Sequence, residues 1–286
     1  MKNIFLPLAA GLLAVSCIIN ISGGSIVGLC TEDGIDYTEI REVAAFNAIS
    51  TSLPCNVYYS QADKQEVRVE STQEFAPKVL TEVDGEELKL RLVEGRYPKL
   101  ILRVVITSPD IKSITVRGSG NLIHDGSLQA SGDLDLKVSG SGDIKMGDLG
   151  SKDFTAHVSG SGHLRLGNID CNEFSAHVSG SGSEHIGKLT CTGFSATLSG
   201  SGHINVEKAV VSDYAQARIS GSGRVRLDDI AVDGDMHLST SGSGHINVNG
   251  SCRNVEASSS GAGSISGNLS YEKIRSSTAG SGHVNL

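Results

Sequence analysis

The sequence predicts an all-β chain: a right-handed parallel β-helix, or β-solenoid, with about 20 residues per rung and an N-terminal β cap. Three observations carry this reading. The string Ser-Gly-Ser-Gly, or a near variant, recurs nine times. Its first glycine falls at Gly118, Gly140, Gly160, Gly180, Gly200, Gly221, Gly242, Gly261 and Gly280, spacings of 19 to 22 residues. Between these glycines, apolar residues return in steps of two, the period of a strand with one buried face. The composition, with 35 Gly, no Trp and 4% aromatic residues, suits thin regular β structure better than a thick mixed core.

Each repeat is counted from its first glycine as zero. Position +4 then holds Ile144, Leu164, Ile204, Val225 and Ile246, and position +6 holds Met146, Leu166, Ile186, Val206 and Leu227. Leu149, Ile169 and Leu189 follow at +9. Phe154, Phe174 and Phe194 stand six before the next glycine, with Ala156, Ala176 and Ala196 two further on, then Val158, Val178 and Leu198. Two steps of three interrupt the alternation, at +6 to +9 and at +11 to +14, and each predicts a corner. The glycine pair at 0 and +2 makes a third, so one repeat is one rung of a triangular coil. Parallel crossovers are right-handed in roughly 98% of cases, which sets the hand. The glycines serve the backbone, permitting positive φ or a close approach, and serine at −1 and +1 stacks outward. No third glycine completes a phosphate-cradling G-x-G-x-x-G, and the period is wrong for a calcium-binding nonapeptide roll.

Before the repeats the chain reads in three parts. Residues 1–17 are a lipoprotein signal peptide: Lys2, an apolar run too short to span a bilayer, then Ala14-Val15-Ser16-Cys17, which resembles a bacterial lipobox with Cys17 as the lipidated residue. Residues 18–37 read as a tether to the membrane. Residues 38–117 carry strand patterns at 56–59, 66–70, 87–92 and 100–107, an Asp84-Gly85 turn, and a short helix at 75–81. This segment is expected to cap the first rung and to form one continuous domain with the repeats at 118–286.

The net charge of −8 argues against a nucleic-acid partner. Cys30, Cys55, Cys171, Cys191 and Cys252 lack metal-site spacing; export permits disulfides, and the odd count leaves a thiol over. Cys171 and Cys191, stacked in adjacent rungs, are expected as two packed thiols rather than a bridge. The +3 histidines His163, His203, His245 and His283 read as a solvated ladder, since alternate rungs stand too far apart for one metal. His157 and His177 come closer, and Asp133, Asp153 and Glu173 stack as like charges that a calcium ion would relieve. In both places the solvated reading is preferred, so no metal, cofactor or catalytic residue is assigned. Glu184 stands where other repeats place Leu or Ile, and a bulge is expected to turn it outward, because a buried unpaired carboxylate is costly.

Three stretches carry a family likeness: Arg41-Glu42-Val43-Ala44-Ala45-Phe46, Val67-Arg68-Val69-Glu70, and Pro109-Asp110-Ile111-Lys112-Ser113-Ile114 leading into Gly118-Ser119-Gly120. Together they resemble the head-GIN domain family, described as auto-transporter adhesins, over about residues 41–286. The resemblance implies a secreted or lipid-anchored bacterial protein with no catalytic residues. The expected function is that of a non-enzymatic cell-envelope lipoprotein, an adhesin or a binding or scaffold module, placed at the outer membrane, facing the periplasm or the cell exterior. A glycan or protein ligand would lie along the solenoid face. The alternative is a polysaccharide-active enzyme on a β-helix. Near the C-terminal end Thr240, Ser259 and Thr278 replace the valine of earlier rungs, a softening that suggests a monomer or weak dimer rather than a filament.

Changing Cys17 to Ala is expected to abolish acyl labelling and release the protein from the membrane. Unchanged labelling in that variant would refute the lipobox reading.

Overall fold

A computed structural model describes residues 26–286; the expected signal peptide and Cys17 lie outside the described residues. The chain forms a β-solenoid of about nine turns with roughly 20 residues per rung. Two ladders of parallel strands run its length. One joins Leu122–Gln129, Asp143–Gly150 and His163–Asp170 in sequence; the other joins Leu134–Val138, Asp153–Gly160 and Glu173–Gly180. Residues one repeat apart are partners, as in Phe154 with Phe174 and Gly160 with Gly180.

The glycine turn holds the coil together. The carbonyl of Gly160 accepts the N–H groups of both Ser181 and Gly182, and the carbonyl of Gly180 accepts those of Ser201 and Gly202. Side chains cannot enter this stack. A Cβ on Gly182 would run into the carbonyl oxygen of Gly162 and the side chain of Val158, and Gly180 has φ of +127°. Glycine is thus required at 0 for conformation and at +2 for the approach of neighbouring backbones.

The corners differ from the expected form. Residues +6 and +9 are buried with two outward residues between them, so the chain does turn there, yet the strand Asp143–Gly150 runs through the turn unbroken. The second corner disappears as a break in two rungs, where single strands span Ser183–Gly200 and His203–Gly221. The ladder bonds are made between rungs rather than within one, so a local bend does not cost them.

Inward positions form columns. Phe154, Phe174 and Phe194 are all but fully buried, with ring centroids 5.3 Å and 6.0 Å apart. Ala156, Ala176 and Ala196 beside them keep the rung narrow enough for both ladders to share one core. Toward the C-terminus Thr240 and Ser259 take an inward position, and their hydroxyls donate to the carbonyls of Gly244 (3.3 Å) and Gly263 (2.8 Å), so the polar substitution carries its own partners.

The N-terminal region is more than a cap. Ala48–Thr51 pairs in parallel with Ser113–Val116, and Val57–Gln61 with the start of Leu122–Gln129, so residues 48–61 are already a rung. Glu87–Leu92 and the later part of Arg96–Ser108 lie outside it, again parallel. The chain therefore lays down its first rung, loops outward to build another, and returns to begin the repeats. In that first rung Ser52-Leu53-Pro54-Cys55 takes the place of the glycine turn. The covering strands are antiparallel: Val79–Asp84 on Glu87–Leu92, Glu66–Ser71 on Arg96–Ser108, and Tyr37–Arg41 outermost. Charged side chains line this margin, including Lys89 with Asp84 at 2.5 Å and Arg68 with Glu70 at 2.8 Å, which discourages further strand addition.

Two local expectations need correction. Only Ala76–Lys78 is helical, as one 3-10 turn, and Val79 already begins a strand, because pairing with Glu87–Leu92 satisfies its backbone better than a further turn would. The part of the expected tether from Ile26 onward is folded: Ile26–Thr31 pairs with Arg96–Ile101, and Cys30 is disulfide-bonded to Cys55 with Cα atoms 5.7 Å apart.

Truncating Phe174 to Ala should cost about 3–5 kcal/mol, the usual range for a buried aromatic. Ser161→Ala, on the exposed serine ladder, should cost less than about 0.5 kcal/mol. Equal losses for the two in urea melts would refute the inside–outside assignment.

Candidate functional site

Because side chains repeat in register, each outward position becomes a ladder along the rod. Two ladders diverge at the +7 corner, where the chain turns with Gly147, Gly167 and Gly187. Asp148, Asn168 and Lys188 form one wall; Gln129, Gly150, Asp170 and Thr190 form the other; Leu128, Leu149 and Ile169 lie between, pointing inward. The groove between the walls encloses about 470 Å³. Gln61 closes its N-terminal end: its side-chain amide donates to the carbonyls of Pro109 and Gln129 and accepts from the Gln129 N–H, each at 2.9 Å. Asp148 Oδ1 accepts from the Asn168 backbone (3.2 Å) and side-chain amide (2.8 Å), which fixes this wall. The result is a polar furrow across four rungs, with carboxylate, amide, hydroxyl and ammonium groups one rung apart.

The residues singled out by sequence lie mostly elsewhere. His163 and His245 do not stand alone in their ladder: each ring Nδ1 is 2.7 Å from the Oγ of the serine in the next rung, Ser183 and Ser264. The rings of His157 and His177 lie 6.1 Å apart on the opposite ladder. Burial holds the His157 imidazole below its ordinary range, and Lys137 and His177 add to this. Among the described residues, no group of three or more His, Cys, Asp or Glu is arranged to hold a metal ion. The Asp133, Asp153 and Glu173 column is relieved by protein groups. Lys152 Nζ lies 4.0 Å from Asp133 and 3.8 Å from Asp153, and the Tyr214 hydroxyl donates to Glu173 at 2.7 Å. That hydrogen bond, then burial, pushes the Tyr214 phenol up to about 12.

Cys171, Cys191 and Cys252 are free and buried. Burial, followed by nearby carboxylates and, for Cys191, the Cys171 thiol, raises Cys171 and Cys191 to about 12 and Cys252 to about 11, so none is a reactive thiolate at neutral pH.

Glu184 overturns its expectation. No bulge turns it out: it stays in register between Leu164 and Ile204, only 1% exposed, and neither carboxyl oxygen has a hydrogen-bond partner. Ladder pairing on both sides fixes which way the residue points, and leaving that register would sacrifice backbone bonds in three rungs. Burial raises its carboxyl well above the ordinary 4.5; the His177 backbone N–H opposes this slightly without a bond of normal geometry. His124 went unnoticed in the sequence. It is buried where later rungs carry Met146 and Leu166, its Nδ1 lies 2.9 Å from the Tyr59 carbonyl, and its Nε2 is unpartnered. The groove was also unread, since its members are ordinary polar residues that matter only once stacked.

A family profile described as "Putative auto-transporter adhesin, head GIN domain" matches residues 45–229 and 195–286. No curated protein matches the chain. Solved structures share the fold, three of them as follows. A Parabacteroides distasonis ATCC 8503 protein described as a "putative lipid binding protein" is 21% identical with a TM-score of 0.66, over 91% of this chain and 98% of its own. A "putative adhesin" from Parabacteroides merdae ATCC 43184 is 18% identical with a TM-score of 0.66, over 92% and 99%. A second P. distasonis "putative adhesin" is 21% identical with a TM-score of 0.59, over 90% and 99%.

Glu184 makes stability depend on pH. Its folded-state value is raised, so the folded chain holds its proton more tightly than the unfolded chain does. Its contribution is fully present below about pH 4.5 and is lost as pH rises toward the folded value. Glu184→Leu should therefore stabilise the fold by about 1–3 kcal/mol at pH 8 and by less at pH 4, measured in urea melts at both values. A variant less stable than the parent at pH 8 would show that the carboxylate has a partner.

Proposed function

Since the chain belongs to the head-GIN domain family of putative auto-transporter adhesins, we propose that it is a non-enzymatic binding module of the bacterial cell envelope, held at a membrane through Cys17. The observation that carries this reading is the polar groove beside Asp148, Asn168, Asp170 and Lys188. Its groups recur about every 4.8 Å along the axis, the spacing of parallel strands. A polymer of repeating hydroxyls laid along the rod meets a donor or acceptor at each step, so a glycan chain is the ligand of choice. Asn, Asp and Gln side chains are suited to it because they donate to and accept from hydroxyl groups.

One further feature supports the envelope assignment: the Cys30–Cys55 disulfide suits an oxidising compartment. Among the described residues no helix is long and apolar enough to cross a membrane. Binding is preferred to turnover because the repeats vary only between 19 and 22 residues, which leaves no long loop to wall off a catalytic cleft. Asp148, one of the two carboxylates lining the groove, is committed to Asn168.

The full chain, immobilised and screened against envelope and host glycans, should show saturable binding with no release of new reducing ends. The double variant Asn168→Ala, Asp170→Ala should weaken that binding about tenfold, as expected for one or two lost hydrogen bonds. Ser175→Ala, on the opposite ladder, should leave it unchanged. Progressive appearance of reducing ends would instead establish an enzyme.

A further inference from the structure

The sequence His203-Ile204-Asn205-Val206, Arg224-Val225-Arg226-Leu227, His245-Ile246-Asn247-Val248 places an Arg-x-Arg strand between two copies of His-x-Asn. The register aligns them: Arg224 is partnered by His203 on one side and His245 on the other, and Arg226 by Asn205 and Asn247. Ile204, Val225 and Ile246 point inward and are buried, so the six polar side chains share one flat outer face. We propose that this face is a second binding surface, distinct from the groove, which takes the anionic groups of an acidic polysaccharide.

The electrostatics are local and contrary to the chain as a whole. The protein carries a net charge of −8, yet no Asp or Glu occupies either outward position in the five rungs from Ser183 to Ser266. Arg224 is exposed, and its guanidinium has no ion pair or hydrogen bond among the described residues, so its five donors are free. Arg226 gives only its Nε to Asp228, which leaves the outer edge of the guanidinium open. His245 is oriented by its Nδ1 contact with Ser264, which turns Nε2 outward, and Asn205 and Asn247 are tied to His185 and the Ser266 carbonyl. The neighbouring charges are already spent: Glu207 faces His185 at 3.1 Å and Lys208 faces Asp229 at 3.0 Å.

The geometry selects the partner. Two guanidinium groups on one strand stand about 7 Å apart, and each flanking histidine lies about 4.8 Å from Arg224. Planar forks at such spacings suit carboxylates or sulfates recurring along a sugar chain, which arginine grips in bidentate fashion. A membrane surface is a poorer match, since every large apolar side chain of the three segments 203–206, 224–227 and 245–248 is buried. A single-stranded nucleic acid is a poorer match, since the patch has no Phe, Tyr or Trp on which successive bases would stack.

The test uses the full chain against dextran sulfate, polygalacturonate and uncharged dextran, with phosphatidylglycerol vesicles in parallel. The wild type should bind both polyanions, more weakly as salt rises, and should ignore dextran. Arg224→Ser with Arg226→Ser should lose at least tenfold in affinity, and Arg218→Ser, on the other ladder, should not. Asn247→Lys, which adds a cation at an outward position, should bind more tightly, and this guards against a double variant that merely misfolds. The groove variant Asn168→Ala, Asp170→Ala should retain polyanion binding, which separates this surface from the proposed groove. Undiminished binding in the double variant, no gain in Asn247→Lys, or binding to vesicles but not to polysaccharide would each overturn the proposal.

Discussion

The structure depends on one backbone arrangement, the stacked glycine turn in which a single carbonyl, such as that of Gly160, accepts two N–H groups from the rung above. It fixes the axial position of each repeat rung, and it works only if no side chain stands between successive turns. Once the turns are stacked, each residue is set opposite its counterpart one repeat away. Apolar residues then merge into continuous columns, such as the three phenylalanines, and the core needs neither Trp nor a thick section.

The same constraint shapes the surface. A regular solenoid converts each outward position into a ladder, so chemistry arises from small changes of residue type between rungs rather than from loops. Asp148, Asn168 and Lys188 occupy one position in three rungs and become a groove wall. His203, Arg224 and His245 occupy another and become a row of imidazole and guanidinium nitrogens. Because rungs are interchangeable in backbone, such groups can be exchanged without disturbing the fold, a property suited to a binding surface.

The constraint also explains the exceptions. Glu184 remains buried because two neighbouring rungs dictate its direction, and the cost of its desolvation is smaller than the loss of ladder bonds that an outward bulge would entail. Thr240 and Ser259 are accepted inside because the glycine turn offers each a carbonyl within reach. At the N-terminal end antiparallel strands with charged margins, together with the parallel strand Ile26–Thr31, cover the stack.

By itself the sequence determined the repeat, the rung register and the inward columns, since glycine spacing and the period of two encode them directly; the stretches around Phe46, Val69 and Ile114 marked the family. The tertiary structure decided what depends on contacts distant in the chain. It placed residues 87–108 outside residues 48–61, joined Cys30 to Cys55, and drew Ile26–Thr31 into the fold. It also kept Glu184 inside and assembled the groove from Gln61 and residues up to Thr190. Local periodicity reports which way a side chain faces along its own strand. Which strand lies beside it, and whether a polar group meets a partner there, is settled only when the rungs close on one another.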